Sequence, residues 1–373
     1  MNAVGYVKMA LVGDIALSSS LKRYLEQRHP ISRSVINALN KSHFVLGNFE
    51  FAMTNEGVAY HGYSREEIVA DYDLMQELRR INALKLTLAN NHIMDWGLEG
   101  LQSTIGALSD MNIPCIGAGQ NIGAASEPSI FSISGISFAI LAAAKPFCVA
   151  DSNRPGVRPI SEAELCSDIY ALKQQGIDHV IVALHWGVEY SRYPSPMDVR
   201  LARMLVNSGA TLVAGHHPHT LQGVESYENG LIAYSLGNFI MDMNIDLSPD
   251  YRSWELAHRS MILEVEFIKS GILSHNIIPV CIDENMRSVF PDEETRSAIL
   301  KDIKLLSSTI SEEAYYKQAY SNLQARTFKA WSKKLREHGA SAVLIFFKTL
   351  KLRHVKMIGM HYYYRLKQIV TRE

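Results

Sequence analysis

The sequence predicts an α/β sandwich followed by a helical extension. Short runs rich in Val, Ile, Leu and Ala recur along the 373 residues, and stretches of helical length separate them. Runs this apolar are typical of strands buried on both faces, as in a sheet covered by helices. The apolar fraction of 47% and the charged fraction of 20% are ordinary for a globular protein, and the chain is long enough to bury a large core.

The predicted elements alternate along the chain. Apolar runs predict buried strands over residues 7–13, 43–47, 84–89, 137–144, 179–184, 210–214 and 231–236. Residues 129–134 and 261–268 predict antiparallel or edge strands. Amphipathic helices are predicted over 18–29, 64–81, 98–111, 161–175 and 196–208. In the third of these helices, the apolar residues 98, 101, 105 and 108 follow the spacing of one helix face.

The sandwich is predicted to end near residue 285. Residues 291–330 have the pattern of polar helices, and the remaining residues form a basic segment rich in Tyr, Leu and Phe that also favours helix. We therefore divide the chain into a main domain over residues 1–288 and a helical, C-terminally basic extension over residues 289–373.

The ends of the predicted strands carry residue types that bind metals. The segment GHHPH at 215–219 places three histidines directly after an apolar run, and Pro218 prevents a helix or a central strand from continuing there. In open α/β sheets, active sites form from loops beyond the carboxyl ends of the strands. The other strand ends also carry carboxylates, amides, imidazoles or a hydroxyl, namely Asp14, Asn48, Glu50, Asn90, Asn91, His92, His185, Ser235 and Asn238.

Each of these residues has a simpler interpretation when it is taken alone. Asp14 could cap a turn, Glu50 could be an exposed strand charge, and His185 could be a hydrogen-bonded core histidine. Recurrence at six strand ends instead favours a metal site. Carboxylate, amide and imidazole ligands suit Mn, Fe, Zn or Mg, and the four scattered cysteines offer neither a zinc-thiolate pair nor a disulfide framework. Two ions that share a carboxylate would activate water for hydrolysis or transfer at a phosphoryl or carbonyl centre.

Six motifs resemble the CapA family of capsule synthesis (poly-γ-glutamate biosynthesis) proteins, a branch of the calcineurin-like metallophosphoesterase superfamily. They are VGDIAL at 12–17, GNFE at 47–50, ANNHIMDWG at 89–97, HWGVEY at 185–190, GHHPHTLQGVE at 215–225 and SLGNFIMD at 235–242. The resemblance covers about residues 7–285. It implies a four-layer sandwich, in which two mixed β-sheets are flanked by helices, and a metallophosphatase-type catalytic domain over residues 1–288 with a dinuclear metal site.

The resemblance also implies a role for each site residue. The implied ligands of two divalent metal ions are Asp14, Glu50 as the bridging carboxylate, Asn91, His185, His217 and His219. His92 would protonate a leaving oxygen, and Asp95 would orient its imidazole. Substrate contacts are expected from Asn48, Asn90, Glu189, His216 and Asn238, although His216 could instead be a ligand.

The implied activity is that of a metal-dependent hydrolase or transferase acting on an anionic biopolymer or its precursor. The bond would be a phosphoester or a γ-glutamyl amide, in the synthesis of poly-γ-glutamate or a capsule polysaccharide. Two departures from the superfamily pattern support an alternative. Ala16 stands where the Asp-x-His motif has its histidine, and Glu50 replaces an aspartate. The alternative is a non-catalytic capsule-assembly or polymer-binding component with a structural metal site.

The C-terminal segment is strongly basic. Residues 326–373 contain 12 Lys/Arg against 2 Asp/Glu, whereas the rest of the chain has 25 against 36. Such a segment could contact an anionic membrane face or a polyanionic product, or pack its apolar residues on the main domain. Nucleic-acid binding is not expected, because no recognised motif accompanies these charges. With no predicted signal peptide or transmembrane helix, the expected location is cytoplasmic, with peripheral contact at the inner membrane face.

Overall fold

The structure, a computed structural model, describes residues 5–26, 28–53, 69–145, 148–242 and 255–318, together with Met360. The strands are β1 (Val7–Ile15), β2 (Phe44–Phe49), β3 (Leu84–Thr87), β4 (Cys115–Ile116), β5 (Ala118–Gly119), β6 (Ser129–Ile133), β7 (Ile136–Ala144), β8 (Gly156–Val157), β9 (His179–His185), β10 (Ala210–His216), β11 (Val224–Tyr227), β12 (Gly230–Ala233), β13 (Asn238–Ile240), β14 (Arg259–Ile268), β15 (Gly271–Ile282) and β16 (Ser288–Val289). The helices are α1 (Lys22–Leu25), α2 (Arg33–Leu39), α3 (Tyr72–Met75), α4 (Gly97–Asp110), α5 (Ile122–Ser126), α6 (Glu162–Gln174), α7 (Pro196–Asn207) and α8 (Glu293–Ser308).

Most of these strands form two mixed sheets. The first sheet has the order β16-β15-β14-β1-β2-β3-β4, and β13 also pairs with β1. The second has the order β11-β12-β10-β9-β7-β6. Parallel pairing joins β1, β2, β3 and β4 in the first sheet and β7, β9, β10 and β12 in the second, whereas β14, β15 and β16 pair antiparallel. The short strands β5 and β8 form a separate ribbon.

The two sheets pack face to face, and helices cover their outer faces. In β1, Met9 and Leu11 lie in a core shared with Phe138 and Ile140 of β7, so these side chains lie between the sheets. Val12, from the opposite face of β1, lies in a second core that includes residues of α2 and α4. In the same way, alternate residues of β9 pack against α6 and α7. This alternation follows from the two-residue period of a strand, and it confirms the predicted four layers.

The predicted buried strands are confirmed, as are the helices predicted over 98–111, 161–175 and 196–208. α7 begins where the sequence indicates, because Ser195 and Asp198 form a capping box and Pro196 occupies the first turn. The helix predicted over 18–29 is wrong in extent. Only a 3₁₀ turn at Ser19–Leu21 and the single turn α1 form there, and Glu26 ends α1 in the left-handed region at φ 44°.

The helix predicted over 64–81 begins later than predicted, and residues 54–68 lie outside the described residues. Ala70 forms a bridge with Ser18, and the amide of Asp71 donates to Leu17 O, so the chain is extended there. The helix starts only at Tyr72, capped by Asp71, and continues as a 3₁₀ turn over Gln76–Arg80. The bridge and the cap give hydrogen-bond partners to backbone groups that would otherwise have been paired within a longer helix.

The division of the chain at residue 288 stays a prediction. α8 confirms the helix expected after it and buries Ile299 and Ile303 against the core between the two sheets. The basic segment over 326–373 lies outside the described residues, apart from Met360. None of the helices within the ranges given above has the length and apolarity that crossing a membrane requires.

Candidate metal centre

The carboxyl ends of the parallel strands from both sheets meet at one place. In the first sheet, Asp14 of β1 pairs in register with Asn48 of β2. In the second sheet, His185 of β9 pairs in register with His216 of β10. Residues in register on adjacent parallel strands point to the same side of the sheet, so each sheet contributes polar side chains to the same cluster. The structure thereby brings together the residues that the sequence placed at separate strand ends.

Two buried carboxylates share one amide. Asn48 Nδ2 donates to Asp14 Oδ1 at 2.8 Å and to Glu50 Oε2 at 3.0 Å. Its own carbonyl Oδ1 accepts from Thr87 Oγ1 at 3.2 Å, which fixes the orientation of the amide. Asp14, Asn48 and Glu50 are all 0% exposed. Asn48 therefore holds the two acids side by side away from bulk water.

Imidazoles surround these carboxylates. His216 Nδ1 lies 3.2 Å from Asp14 Oδ1, and His219 Nδ1 lies 3.4 Å from Asp14 Oδ2. His185 Nε2 and His219 Nε2 each lie 3.8 Å from Glu50 Oε1. The ring of His217 lies against that of His185, with centroids 4.7 Å apart. The three histidines of GHHPH thus all reach the cluster, and the choice between ligand and substrate contact for His216 stays a prediction.

The pKa values of the two acids are shifted in opposite directions. Burial alone would raise the pKa of Asp14, yet the contacts with His216 and His219 hold it well below its usual range. Burial raises the pKa of Glu50 well above its usual range, and the charge on Asp14 adds to this effect. Two neighbouring carboxylates in a dry site cannot both ionise easily unless a cation accompanies them.

The pKa values of the imidazoles are also shifted in opposite directions. Burial lowers the pKa of His185 well below its usual value and lowers that of His217 to about 3, so both rings are neutral and keep a lone pair. Burial opposes protonation of His219 as well, but the charge on Glu50 and the contact with Asp14 raise its pKa to about 10. The cluster therefore attracts a positive charge, and neutral imidazoles beside carboxylates are the form that binds metal.

The residues present fit a divalent cation. Asp14, Glu50 and His185 each offer one ligand atom within 4.8 Å of the others, and all three side chains are buried. Among the described residues, neither Glu50 Oε1 nor His216 Nε2 has a hydrogen-bond partner. Buried polar atoms without partners are costly in a folded protein unless an ion or water satisfies them. The donor set of carboxylate and imidazole suits Mn, Fe or Zn in particular.

A histidine and an aspartate lie beside this cluster and reach solvent. His92 Nδ1 donates to Asp95 Oδ2 at 2.7 Å, and the ring packs edge-on against Phe51. The side chain of His92 is 20% exposed, in contrast to the buried histidines. Asn91 links the two regions, since its Oδ1 accepts from His185 Nε2 at 2.7 Å and its Nδ2 lies 3.0 Å from His92 Nε2.

The three asparagines expected to contact substrate are buried and engaged by protein partners. Besides the contacts of Asn48, Asn90 Oδ1 accepts from the amides of His92 and Ile93, and Asn90 Nδ2 donates to Phe49 O. Asn238 Oδ1 accepts from His219 Nδ1 at 2.8 Å. In this structure they hold other site residues in place, and their contact with a substrate stays a prediction. Glu189 is exposed, and its charge helps raise the pKa of both Glu50 and His219.

The GHHPH loop adopts a strained backbone to present its histidines. His217 has φ 92° and His219 has φ 56°, a region that residues other than glycine seldom occupy. In this conformation the amide of His217 donates to Asp14 Oδ2 at 3.2 Å. Such strain persists at functional sites when the surrounding contacts fix it.

Sequence reasoning missed a cation beside the cluster. Lys145 directly follows β7, and its amide donates to His185 O at 3.0 Å. Its charge contributes to the low pKa of His217. The apolar run 137–144 is the signal that could have found it, because Lys145 is the residue at that strand's carboxyl end.

Contacts with α8 and with Gln318 hold the loop that carries Glu189 at the cluster. Arg192 forms an ion pair with Asp302 of α8, and its amide donates to Gln318 Oε1 at 3.0 Å. On the other side, the amide of Tyr190 donates to Pro218 O in the GHHPH loop. Asp302 and Gln318 therefore contribute to the position of a loop at the site, although both lie outside the predicted main domain.

We expect Asp302→Ala to reduce the free energy of unfolding by about 1 kcal/mol, because it removes a partly buried ion pair. Chemical denaturation measures this change. Arg296→Ala on the same helix is the matched control, since the Arg296–Glu293 pair is exposed and its loss should have little effect. Equal stability of the Asp302 variant and the control would show that the ion pair does not hold the loop.

The chain is similar to proteins named for bacterial capsule or PGA synthesis. The sequence profile described as "Bacterial capsule synthesis protein PGA_cap" matches residues 8–243. The chain is 29% identical over 282 residues to the PGA biosynthesis protein CapA of Bacillus subtilis (strain 168), which covers 74% of this chain and 71% of that protein. It is also 29% identical over 286 residues to the capsule biosynthesis protein CapA of Bacillus anthracis, covering 74% and 67%.

Among solved structures, the NAD nucleotidase of Haemophilus influenzae aligns with 82% of this chain at 17% identity and a TM-score of 0.43. The aligned part spans 56% of that chain, little more than half its length. A likeness at this level carries no inference about chemistry.

Proposed function

We propose a function that starts from family membership: the chain belongs to the PGA_cap family of bacterial capsule synthesis proteins. It is a metal-dependent hydrolase or transferase that acts on an anionic biopolymer or its precursor. The observation that carries this proposal is the buried Asp14–Glu50–His185 group, which lies beside the solvent-accessible His92–Asp95 pair. The first group suits a cation and the second suits proton transfer.

The buried cluster would bind metal, and the His92–Asp95 pair would transfer a proton. Asp14, Glu50, Asn91, His185 and the GHHPH imidazoles would hold one or two divalent ions, with Mn, Fe, Zn or Mg as candidates. A bound divalent ion would stabilise the negative charge that develops on a substrate oxygen. Asp95 accepts a hydrogen bond from His92 Nδ1 and so orients the imidazole, and His92 would donate a proton to a leaving oxygen.

The substrate class follows from the relatives and the chemistry together. The Bacillus relatives are named for PGA and capsule biosynthesis. A metal site with a nearby general acid suits a phosphoester. We extend the proposal to a γ-glutamyl amide, because a metal ion can polarise a carbonyl oxygen as it polarises a phosphoryl oxygen. The basic segment at 326–373, outside the described residues, would contact a polyanionic product or an anionic membrane face.

A panel of chromogenic phosphomonoesters and phosphodiesters, run beside poly-γ-glutamate, tests the activity of the Mn-loaded full-length protein. We expect turnover of at least one class that a chelator abolishes. A protein that binds Mn but turns over no substrate of either class would contradict the enzymatic proposal.

We expect His92→Ala to lower kcat by about 10²-fold or more, the usual contribution of a general acid, while Mn binding is retained. Measurement of kcat and of bound Mn on the same preparation checks both expectations. Tyr170→Ala, at an exposed position on α6, is the control, because it should change neither kcat nor Mn binding. Unchanged kcat in the His92 variant would exclude His92 as the acid.

One observation favours a second candidate, a polymer-binding or assembly component with a structural metal. Ile15 and Ala16 follow Asp14 and are buried, so no imidazole comes from the Asp-x-His position. His216 Nδ1 nevertheless lies 3.2 Å from Asp14 Oδ1 and offers an imidazole there. Full complementation of a deletion strain by His92→Ala, with metal still bound, would support this candidate over the enzyme.

A further inference from the structure

The position of Lys145 links it to the histidine segments of the candidate metal centre. Ala144, the last residue of β7, pairs in register with His185. The next residue along the chain is Lys145, and its backbone amide donates to His185 O. The backbone of Lys145 is therefore fixed beside a member of the Asp14–Glu50–His185 group.

The side chain of Lys145 extends along the same edge. Its Nζ donates to Gly187 O, two residues after His185. Gly187 in turn lies against the GHHPH loop, since a Cβ placed on it would be 3.1 Å from Pro218 Cγ. The ammonium group thus contacts the segment that follows His185, and that segment in turn lies against the GHHPH loop.

The ammonium group lacks an acidic partner. Across the described part of the chain, no carboxylate forms an ion pair with Lys145, and the one hydrogen-bond acceptor of its Nζ is Gly187 O. An ammonium has three N–H donors, so two remain. The side chain is half-buried, which makes an uncompensated charge unfavourable.

When divalent cations occupy the cluster, they repel the neighbouring ammonium group of Lys145. Like charges repel, and the repulsion strengthens where water is partly excluded. An anion between the two positive groups reverses the sign of the interaction, because both then attract it. In the metal-loaded protein, the arrangement is therefore more favourable when a negatively charged group occupies the space next to the cluster.

We propose that Lys145 is an anion-binding residue whose ammonium group holds a phosphate or carboxylate oxygen of the substrate at the metal centre. This inference rests on the proposed function, because it places the substrate beside the Asp14–Glu50–His185 group. It adds a substrate contact that none of the six sequence motifs contains. A phosphoryl substrate and a glutamyl substrate both offer such an oxygen, and a lysine binds either as a point charge.

Two variants separate anion binding from a purely structural contact with Gly187. Lys145→Met keeps the apolar stem and removes the charge, and Lys145→Arg keeps the charge. Lys173→Met is the matched control, because Lys173 Nζ in α6 likewise donates to backbone carbonyls, those of Ile177 and Asp178 just before β9. A loss that came only from a broken lysine–carbonyl contact would appear in both methionine variants.

The test is calorimetric titration of the full-length protein, first with Mn and then, in the Mn-loaded form, with inorganic phosphate and with γ-glutamylglutamate. We expect Lys145→Met to bind Mn like the wild type and to lose about tenfold or more in affinity for the preferred anion, the value of one charge-assisted hydrogen bond. Lys145→Arg should retain most of that affinity, and Lys173→Met all of it. The anion that the wild type prefers distinguishes a phosphoryl from a glutamyl substrate.

The possible failures are distinct. A wild-type protein that binds no Mn contradicts the proposed function itself. Normal Mn binding with equal anion affinity in the wild type and Lys145→Met overturns only the assignment of Lys145. Normal Mn binding with no affinity for either anion also overturns that assignment.

Discussion

Replacing Glu50 with glutamine is expected to abolish the stabilisation of this fold by divalent metal. Glu50 is fully buried, and its Oε1 has no hydrogen-bond partner among the described residues, although two imidazoles lie 3.8 Å away. Glutamine has the same shape, and its carbonyl can still accept from Asn48 Nδ2. It removes the negative charge that a cation needs, so the metal should lose its central ligand while the packing is preserved.

The size of this effect can be stated in advance. A metal at 100 times its Kd adds about 2.7 kcal/mol to the free energy of unfolding of the wild-type protein. The Glu50→Gln variant should gain almost none of this stability. Without metal it should be at least as stable as the wild type at neutral pH, because burial raises the pKa of Glu50 and an ionised carboxylate there opposes folding.

Thermal unfolding with and without Mn measures both effects. Glu189→Gln is the matched control, because it makes the same chemical change at an exposed position near the cluster and should keep most of the Mn-induced shift. A full Mn-induced shift in the Glu50 variant would show that the metal binds elsewhere.

The second large effect is expected for Gly215→Ala, at the carboxyl end of β10. A Cβ at this position would lie 1.9 Å from Tyr234 O and 2.5 Å from Trp186 Nε1. Those two atoms are themselves hydrogen-bonded at 3.1 Å. Since one clash is with backbone, no side-chain rotation relieves it, and β10 must move. Overpacking of this kind costs about 3 kcal/mol or more.

The movement should also affect the metal centre. Gly215 immediately precedes His216 and His217, so a shift of β10 displaces the imidazole beside Asp14 and the amide that donates to Asp14 Oδ2. We therefore expect a large drop in the midpoint of urea unfolding together with weaker Mn binding. Gly106→Ala in α4 is the control, because the added methyl would meet no atom within 4 Å beyond the adjoining helix backbone, and alanine favours helix. A Gly215 variant as stable as this control would contradict the packing described here.

The fold was largely predictable because its strands are apolar on both faces. Residues such as Leu11 and Val12 are adjacent in sequence and enter different cores, and this situation produces an uninterrupted apolar run in the sequence. The helix predicted over 18–29 failed because Ser18 forms a bridge with the distant Ala70 and Glu26 adopts a left-handed conformation. Amphipathic spacing does not reveal such contacts.

The composition of the site was predictable, but its internal contacts were not. The carboxyl ends of parallel strands lie at one edge of a sheet, so Asp14, Glu50 and His185 could be grouped from the sequence alone. The role of Asn48 as the amide between both acids depends on the register of β1 and β2, which sequence does not specify. In the same way, nothing local to Asp302 indicates that it pairs with Arg192, because the two are 110 residues apart.

Anomalous diffraction at the Mn absorption edge, from crystals of the full-length protein grown with saturating Mn, tests the metal centre most directly. We predict an anomalous peak in contact with the carboxylates of Asp14 and Glu50 and the imidazole of His185. Well-ordered crystals with no peak at these three residues would contradict the assignment of this cluster as a metal centre.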